Sequence, residues 1–468
     1  MKPGREDLRL LLARLPSVHA LQRQSGIRAL RDRFEDRQID TAIRKVLRDT
    51  RDRLRFRPQE AEACQSAWLA PGTLAEGVAA LLESEVRPAD GDLINASGIL
   101  FHPLTRDRYA GTAARRASKL ALTLAAFEDT GRTARLLREL TGAEDALVAR
   151  SVSAAFLLAV RSLAEGAEVV INRGQSGLID APYDRRPVNP VAVCQFAGAR
   201  VVETGATNKT RLSDYLSVVR DRTALIVTAR PSTYALRGFT EEAGQEEIVR
   251  AGADSGATVL HLAGDTTLRP VPSAAYPSAC SVAEAVRCGT PLIVMAGGGL
   301  IGGPPCGLLI GSRRVIARMR RHGLWPSVQA SRHVRAGLEA RLAELADSPC
   351  DLECHPAAHM LAASRDEVGA RARQLLDRLS ENGRHHAACS VIEGQAHLTT
   401  YRLPGDGMAS FAVSVRPAGM RPEDLARRWL KGTPALLVDC CRDGIRIDMR
   451  GVEKCRIPDV ARIARPDL

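Results

Sequence analysis

Apolar positions change their spacing along the chain, and each change marks a boundary. Over residues 1–57 they recur at helical intervals. Leu8, Leu11, Leu12 and Leu15 share a face ahead of Pro16, and Ile43, Val46, Leu47 and Leu54 do the same within 39–54. Connecting helices are predicted at 60–69 and 74–82, closed by the polar run Arg87-Pro-Ala-Asp-Gly91. From Leu93 the period shortens. Apolar, β-branched runs at 145–149, 168–172, 200–203, 224–229, 258–263, 292–295 and 308–310 alternate with helical patterns at 154–163, 211–220 and 241–253. Short strands separated by helices predict βαβ units and a mostly parallel sheet of seven strands. Beyond Val315 a helical region runs to about Leu345. After Asp347-Ser-Pro349 come a helix at 365–379, a strand at 410–415, a helix at 422–431 and a hairpin-like pair at 435–439 and 444–448. The predicted layout is a basic helical module (1–57), linker helices (58–92), a large α/β domain (93–330), and a long helix with a small C-terminal α+β domain (331–468).

Composition narrows the class. With 468 residues, 45% of them hydrophobic, the chain can bury a sizeable core. Mean hydropathy is −0.13. No run approaches the ~18 apolar residues of a membrane helix. The N-terminus MKPGREDLRLLLARLP is charged throughout and lacks the apolar core of a signal peptide. Eleven scattered cysteines read as free thiols in a reducing compartment, so the expected location is cytoplasmic, with no membrane partner.

Charge changes the picture more. The net charge is +12, and residues 1–58 hold 16 Lys/Arg against 8 Asp/Glu. Arg44, Lys45, Arg48, Arg51 and Arg55 project from the side of the 39–54 helix opposite its apolar face, a phosphate-tracking surface or a solvated face balanced by Asp49 and Asp52. No aromatic ladder accompanies them, so backbone contact rather than base stacking is the expected mode.

The densest local signal is Ala296-Gly-Gly-Gly-Leu-Ile-Gly-Gly-Pro-Pro-Cys-Gly307, where eight of twelve residues are glycine or proline between two strand-like runs. Such density marks a backbone that needs positive φ or close approach, as in a loop wrapping a ligand or partner. Gly297, Gly299 and Gly302 spell G-x-G-x-x-G, but no helix follows, as a dinucleotide fingerprint requires. Ser151 and Ser153 open a predicted helix, placed either to bind phosphate or to cap it. Cys350, Cys354, His355, His359, His385, His386 and Cys389 raise a zinc reading, but the spacing matches no tight structural pattern, and no metal is assigned. Cys440 and Cys441 fall at a strand end, where alternation directs them to opposite faces.

Leu15-Pro-Ser-Val18 before a basic helix, Ile94-Asn-Ala-Ser-Gly-Ile-Leu-Phe-His102, Glu139-Leu-Thr-Gly-Ala-Glu144, the block from Ala199 to Thr-Asn-Lys-Thr210, and Arg237-Gly-Phe-Thr240 together resemble the bacterial L-seryl-tRNA(Sec) selenium transferase (SelA) family. The resemblance implies fold-type I, the pyridoxal-phosphate (PLP) transferase fold, with an N-terminal tRNA(Sec)-gripping module and assembly into rings of dimers. It also implies chemistry in which water is eliminated from a seryl ester and selenium is added. The glycine run resembles the family's cofactor loop.

The departures carry equal weight. PLP chemistry needs a lysine for the Schiff base and a carboxylate to keep the pyridine nitrogen protonated. Gly299 stands at the lysine position, and no lysine lies between Lys209 and Lys431. His261 stands at the position of the pyridine-binding acid, with Asp265 nearby as an unpartnered alternative. Pro326 and Gln329 replace two anion-binding arginines, leaving Arg106 as the remaining match. The expected cofactor pocket is therefore a degenerate one of Ser151, Ser153, His261, Gly302 and Gly303, without a catalytic residue. The resemblance then implies a tRNA-binding homo-oligomer without PLP catalysis that regulates or co-assembles with an active paralogue. The alternatives are a working selenium transferase, or a scaffold without tRNA binding.

Overall fold

A computed structural model describes residues 14–31, 36–56, 70–86, 93–102, 104–105, 112–123, 131–177, 189–230, 234, 236, 238–264, 266–270, 281–348, 350–351, 355, 357–380, 388–398, 407–417, 420–441 and 444–464. Met1–Asp92 and Leu93–Leu468 form two compact units.

The first unit is helical: α1 (Val18–Gln22), α2 (Ser25–Leu30), α3 (Asp36–Phe56) and α4 (Pro71–Val86). The Ser17 hydroxyl accepts the Ala20 N–H at 3.1 Å and caps α1. The Gln22 amide donates to Asp40 Oδ1 at 2.5 Å, tying α1 to α3. Ile39, Ala42, Ile43 and Leu47 of α3 are buried in one cluster with Leu74, Ala75 and Val78 of α4. Each such aliphatic burial is worth roughly 1.5–3 kcal/mol, which fixes the rotation of α3. Arg44, Lys45, Arg48 and Arg51 are left exposed on its other side. Leu8, Leu11, Leu12, the 60–69 helix and the Arg55 side chain lie outside the described residues.

The second unit opens with β1 (Leu93–Ala96) and contains, among the described residues, a large sheet, a small sheet and a two-stranded ribbon. Its other elements include α5 (Arg132–Thr141), β2 (Asp145–Ala149), α6 (Val152–Ala164), β3 (Glu168–Asn172), β4 (Arg200–Thr204), β5 (Lys209–Thr210), β6 (Thr223–Ala229), β7 (Glu241–Glu242), α7 (Gln245–Ser255), β8 (Thr258–Gly264), β9 (Leu292–Ala296), β10 (Gly307–Gly311), α8 (Arg313–Arg321), α9 (Arg332–Ala346), α10 (Arg365–Ser380), β11 (Ala388–His397), β12 (Gly407–Arg416), β13 (Ala435–Cys441), β14 (Gly444–Asp448) and α11 (Ile457–Ala464). The large sheet has the order β2-β10-β9-β8-β6-β3-β4. All its pairs are parallel except those of β10, which runs against both β2 and β9. These are the seven expected strands. Their legibility follows from burial: β3, β9 and β10 are buried along their whole length, and a strand covered on both faces reads as a continuous apolar run. Ala155, Phe156 and Ala159 of α6 cover one face against Ile171, Val227, Leu260 and Val294. Leu137, Leu140, Leu338 and Leu342 of α5 and α9 cover the other, against Val148, Ile293 and Ile310.

The small sheet has the order β1-β13-β14-β12-β11. Leu93–Ala96, at the start of the expected 93–330 domain, pairs in parallel with Ala435–Val438 in this sheet rather than joining the large one. A four-residue strand whose partner lies hundreds of residues downstream leaves no local trace. A second difference is at Glu241–Glu242, predicted as helix, which pairs with Lys209–Thr210. The helix starts at Gln245, where the Glu247 carboxylate accepts the Gly244 N–H at 3.0 Å. Helices α10 and α11 bury Val368, Leu375 and Val460 against Val413 and Val415.

Candidate functional site

Because β10 reverses between β2 and β9, those two strands run the same way, and Gly307 pairs with both Ala149 and Ala296. The turn after β2, the glycine loop after β9 and the ends of β6 and β8 therefore share the carboxyl edge of the sheet. Open α/β sheets bind ligands at that edge.

The glycine loop satisfies its own backbone. Gly299 and Gly302 hold φ of +53° and +72°, the left-handed region that favours glycine. The Gly297 N–H donates to Cys306 O at 3.0 Å, and the Gly303 N–H to Gly297 O at 3.2 Å. The Gly299 carbonyl accepts twice, from the Gly302 N–H at 3.0 Å and from His355 Nε2–H at 2.8 Å. His355 is buried, its ring edge-on to Phe101, and its Nδ1 accepts the Ala357 N–H at 2.9 Å. That pattern defines a neutral imidazole protonated on Nε2. Fully buried Arg341 donates from Nε to Ile301 O at 2.7 Å and pairs with Glu344 at 3.0 Å. Leu300 packs with Leu100, Phe101, Met360 and Met408, while Ile301 joins the core under the large sheet. The loop is thus clamped from both sides by buried groups.

Both ring nitrogens of His355 are engaged with backbone. Cys354, His385, His386 and the side chain of His359 lie outside the described residues. Neither Arg341 nor the clamping role of His355 was read from the sequence. A charged residue facing the apolar stripe of a long helix, as Arg341 does on α9, was the available signal.

His261 lies in the middle of β8, in register with Thr228 on β6 and Ile293 on β9. Its Nδ1 is 2.9 Å from Thr228 Oγ1. The Thr228 hydroxyl donates to Gln245 Oε1 at 3.1 Å, and the Gln245 amide donates to Thr290 Oγ1 at 3.2 Å. With its one proton committed to Gln245, Thr228 can only accept from His261, so the imidazole carries its proton on Nδ1. The bare Nε2 presents a lone pair. His261 remains partly exposed between buried Leu260 and Leu262. Desolvation, and secondarily the nearby Arg230 guanidinium, push its pKa down to about 4. At neutral pH position 261 is an uncharged acceptor rather than an anion.

Ser151 caps α6, its hydroxyl accepting the Ala154 N–H at 3.1 Å, and Ser153 is half-buried in the first turn. A Cβ on Gly307 would overlap the Ser151 carbonyl oxygen, so the end of the glycine loop packs directly on this cap. Gly303 approaches the Gly297 carbonyl with similar closeness. The structure thereby joins Ser151 to the loop, and His261 to Thr228 and Gln245. Arg106, Arg237 and Asp265 lie outside the described residues, and Pro326 and Gln329 are exposed.

The lysines of the second unit, Lys119, Lys209, Lys431 and Lys454, are all exposed. Lys209 pairs with Glu241 on the β5–β7 ribbon. The surrounding Thr-Asn-Lys-Thr block is a brace: Thr210 Oγ1 donates to Asn172 Oδ1 at 2.8 Å and Asn208 Nδ2 to Phe239 O at 2.8 Å. A PLP Schiff base requires a lysine amine at the loop, and these residues do not supply one. Nor does a neutral His261 hold a pyridine proton as a carboxylate would.

The helix-covered sheet with its loop-lined carboxyl edge defines the class as fold-type I, the fold of PLP-dependent transferases. The solved D-glucosaminate-6-phosphate ammonia-lyase shares this fold, with a TM-score of 0.57 at 16% identity over 80% of this chain and 95% of that one. The family model for L-seryl-tRNA selenium transferase matches residues 95–453, and the chain belongs to that family. The L-seryl-tRNA(Sec) selenium transferase of Hyphomonas neptunium is 29% identical over 468 residues, covering 97% of this chain and 98% of its own. That of Solidesulfovibrio magneticus is 30% identical over 437 residues, covering 90% and 92%.

Proposed function

We propose that this chain serves selenocysteinyl-tRNA synthesis as a tRNA-binding member of its family that forms no Schiff base with PLP. It acts as a homo-oligomeric regulator or as a co-assembling partner of an active paralogue. The observation that carries the reading is Gly299: the residue at the family's lysine position has no side chain, and its carbonyl is tied to His355 at 2.8 Å. The neutral state of His261 supports the same conclusion. The tRNA side of the reading is supported by the exposed basic face of α3 and by relatives named for acting on L-seryl-tRNA(Sec).

Two measurements test this. PLP added to the purified chain is expected to give no Schiff-base absorbance and no borohydride-trapped lysine; a single trapped lysine would mean a working transferase instead. The intact chain is expected to bind tRNA(Sec) with a steep salt slope that is lost on removing residues 1–57. Equal affinity of the truncated and intact chains would refute the tRNA reading and leave a scaffold.

A further inference from the structure

We propose that the outer face of α8 is a second contact for the RNA backbone, on the catalytic-fold unit and separate from the basic helix of the first unit; this rests on the tRNA reading above. The helix carries Arg313, Arg314, Arg318, Arg320 and Arg321 in nine residues. The whole chain has 66 Lys/Arg, six of them lysine, in 468 residues, so arginine-rich composition predicts about one arginine in nine residues, not five.

The five are not equivalent. Ile316 and Met319 anchor α8 in the core. At about 100° per residue, Arg314, Arg318 and Arg321 fall within roughly 60° of arc on the opposite side, and all three are exposed. Arg320 lies at the edge and pairs with Asp145 at 3.0 Å. The other acid at that edge, Glu144, accepts the backbone N–H of Arg313 at 2.8 Å. Among the described residues no carboxylate pairs with Arg314, Arg318 or Arg321; the only hydrogen bond from these side chains is Arg321 Nε to Ala317 O at 3.3 Å.

Local energetics do not account for the row. Arg318 and Arg321 sit in the last turn, where a cation is favourable, but Arg313 and Arg314 stand at the positive N-terminal end of the helix dipole, where it is not. Arg314 and Arg318 are a like-charge i,i+4 pair, which opposes helix formation. A row of guanidinium groups rising about 6 Å and then about 4.5 Å along the axis, without internal anions, suits an external chain of phosphates, which arginine binds in bidentate fashion.

The test uses the full chain and the triple variant Arg314→Glu, Arg318→Glu, Arg321→Glu, with the corresponding Gln variant as a milder second. Thermal unfolding midpoints check that both fold. Binding of tRNA(Sec) is measured against salt, with Arg44, Lys45, Arg48 and Arg51 of α3 changed to Gln in a parallel variant. The expected result is a salt slope reduced by about 2 and at least a tenfold weaker affinity in the α8 variants, given ~0.7–0.9 of slope per phosphate contact. If the intact chain binds with a steep slope that the α8 variants leave unchanged, this inference alone falls. A change confined to oligomeric state would identify the face as a contact between copies and would also overturn it. No binding by the intact chain would overturn it together with the tRNA reading.

Discussion

The Nε2–H of His355 donates to the carbonyl of Gly299 at 2.8 Å, so a buried imidazole holds the backbone in the middle of the glycine loop. The same carbonyl takes the Gly302 N–H, leaving the loop fixed by donors and without a side chain of its own at that point.

Removing the imidazole leaves a buried carbonyl one donor short and opens space beside Phe101. His355→Ala is expected to lower unfolding free energy by about 1–3 kcal/mol, read as a shift in urea midpoint. Amide exchange should quicken at residues 299–303. Unchanged exchange there would show that the loop is held by its own turn alone.

A lysine placed at position 299 is not expected to be sufficient for cofactor capture. Gly299→Lys puts a side chain at φ +53°, at a cost of roughly 1–2 kcal/mol, while His261 stays neutral at pH 7. The double variant Gly299→Lys, His261→Asp is expected to retain borohydride-trappable PLP about tenfold more tightly than Gly299→Lys alone, because a charge-assisted bond to the ring nitrogen contributes about 1.5–3 kcal/mol. Equal retention by the two would remove position 261 from cofactor binding.

Two desolvated groups, His261 and Asp448, pull the pH dependence of stability in opposite directions. His261 binds its proton near pH 4 when folded, against an ordinary value of 6.5. Between those values the unfolded chain holds more protons, and stability rises with pH. Desolvation raises Asp448 from 3.8 to about 6, despite hydrogen bonds from Ser410 and the Arg450 N–H. In that window the folded chain holds the extra proton, and stability falls as pH rises. Chemical denaturation between pH 4 and 6.5 should therefore show a steeper rise with pH in Asp448→Asn than in wild type, and a shallower one in His261→Gln. Parallel profiles in all three would contradict both assignments.

Gly307 has no room for a methyl group against the Ser151 carbonyl. Gly307→Ala is expected to destabilise the chain by about 1–3 kcal/mol, whereas Gly131→Ala, with open space around its Cβ position but a φ of +68°, should cost no more than about 1–2 kcal/mol from backbone strain. Melting temperatures of the two variants give the comparison.

The pattern of apolar residues by itself determined the seven strands of the large sheet, most plainly β3, β9 and β10, because strands buried on both faces leave unbroken apolar runs. It also determined the two faces of α3, where helical period separates Ile43 and Leu47 from Arg44 and Arg48. That no lysine lies between Lys209 and Lys431 was equally plain, since residue identity needs no coordinates. What only the tertiary structure decided was pairing and proton placement. β1 finds its partner at residues 435–438, a contact with no local periodicity to announce it. β11 was missed because its polar residues, among them Ser390, Glu393 and Gln395, interrupt the apolar pattern. The tautomers of His261 and His355, and the pinning of Gly299 by a residue 56 positions away, follow from hydrogen-bond partners that the folded chain brings together.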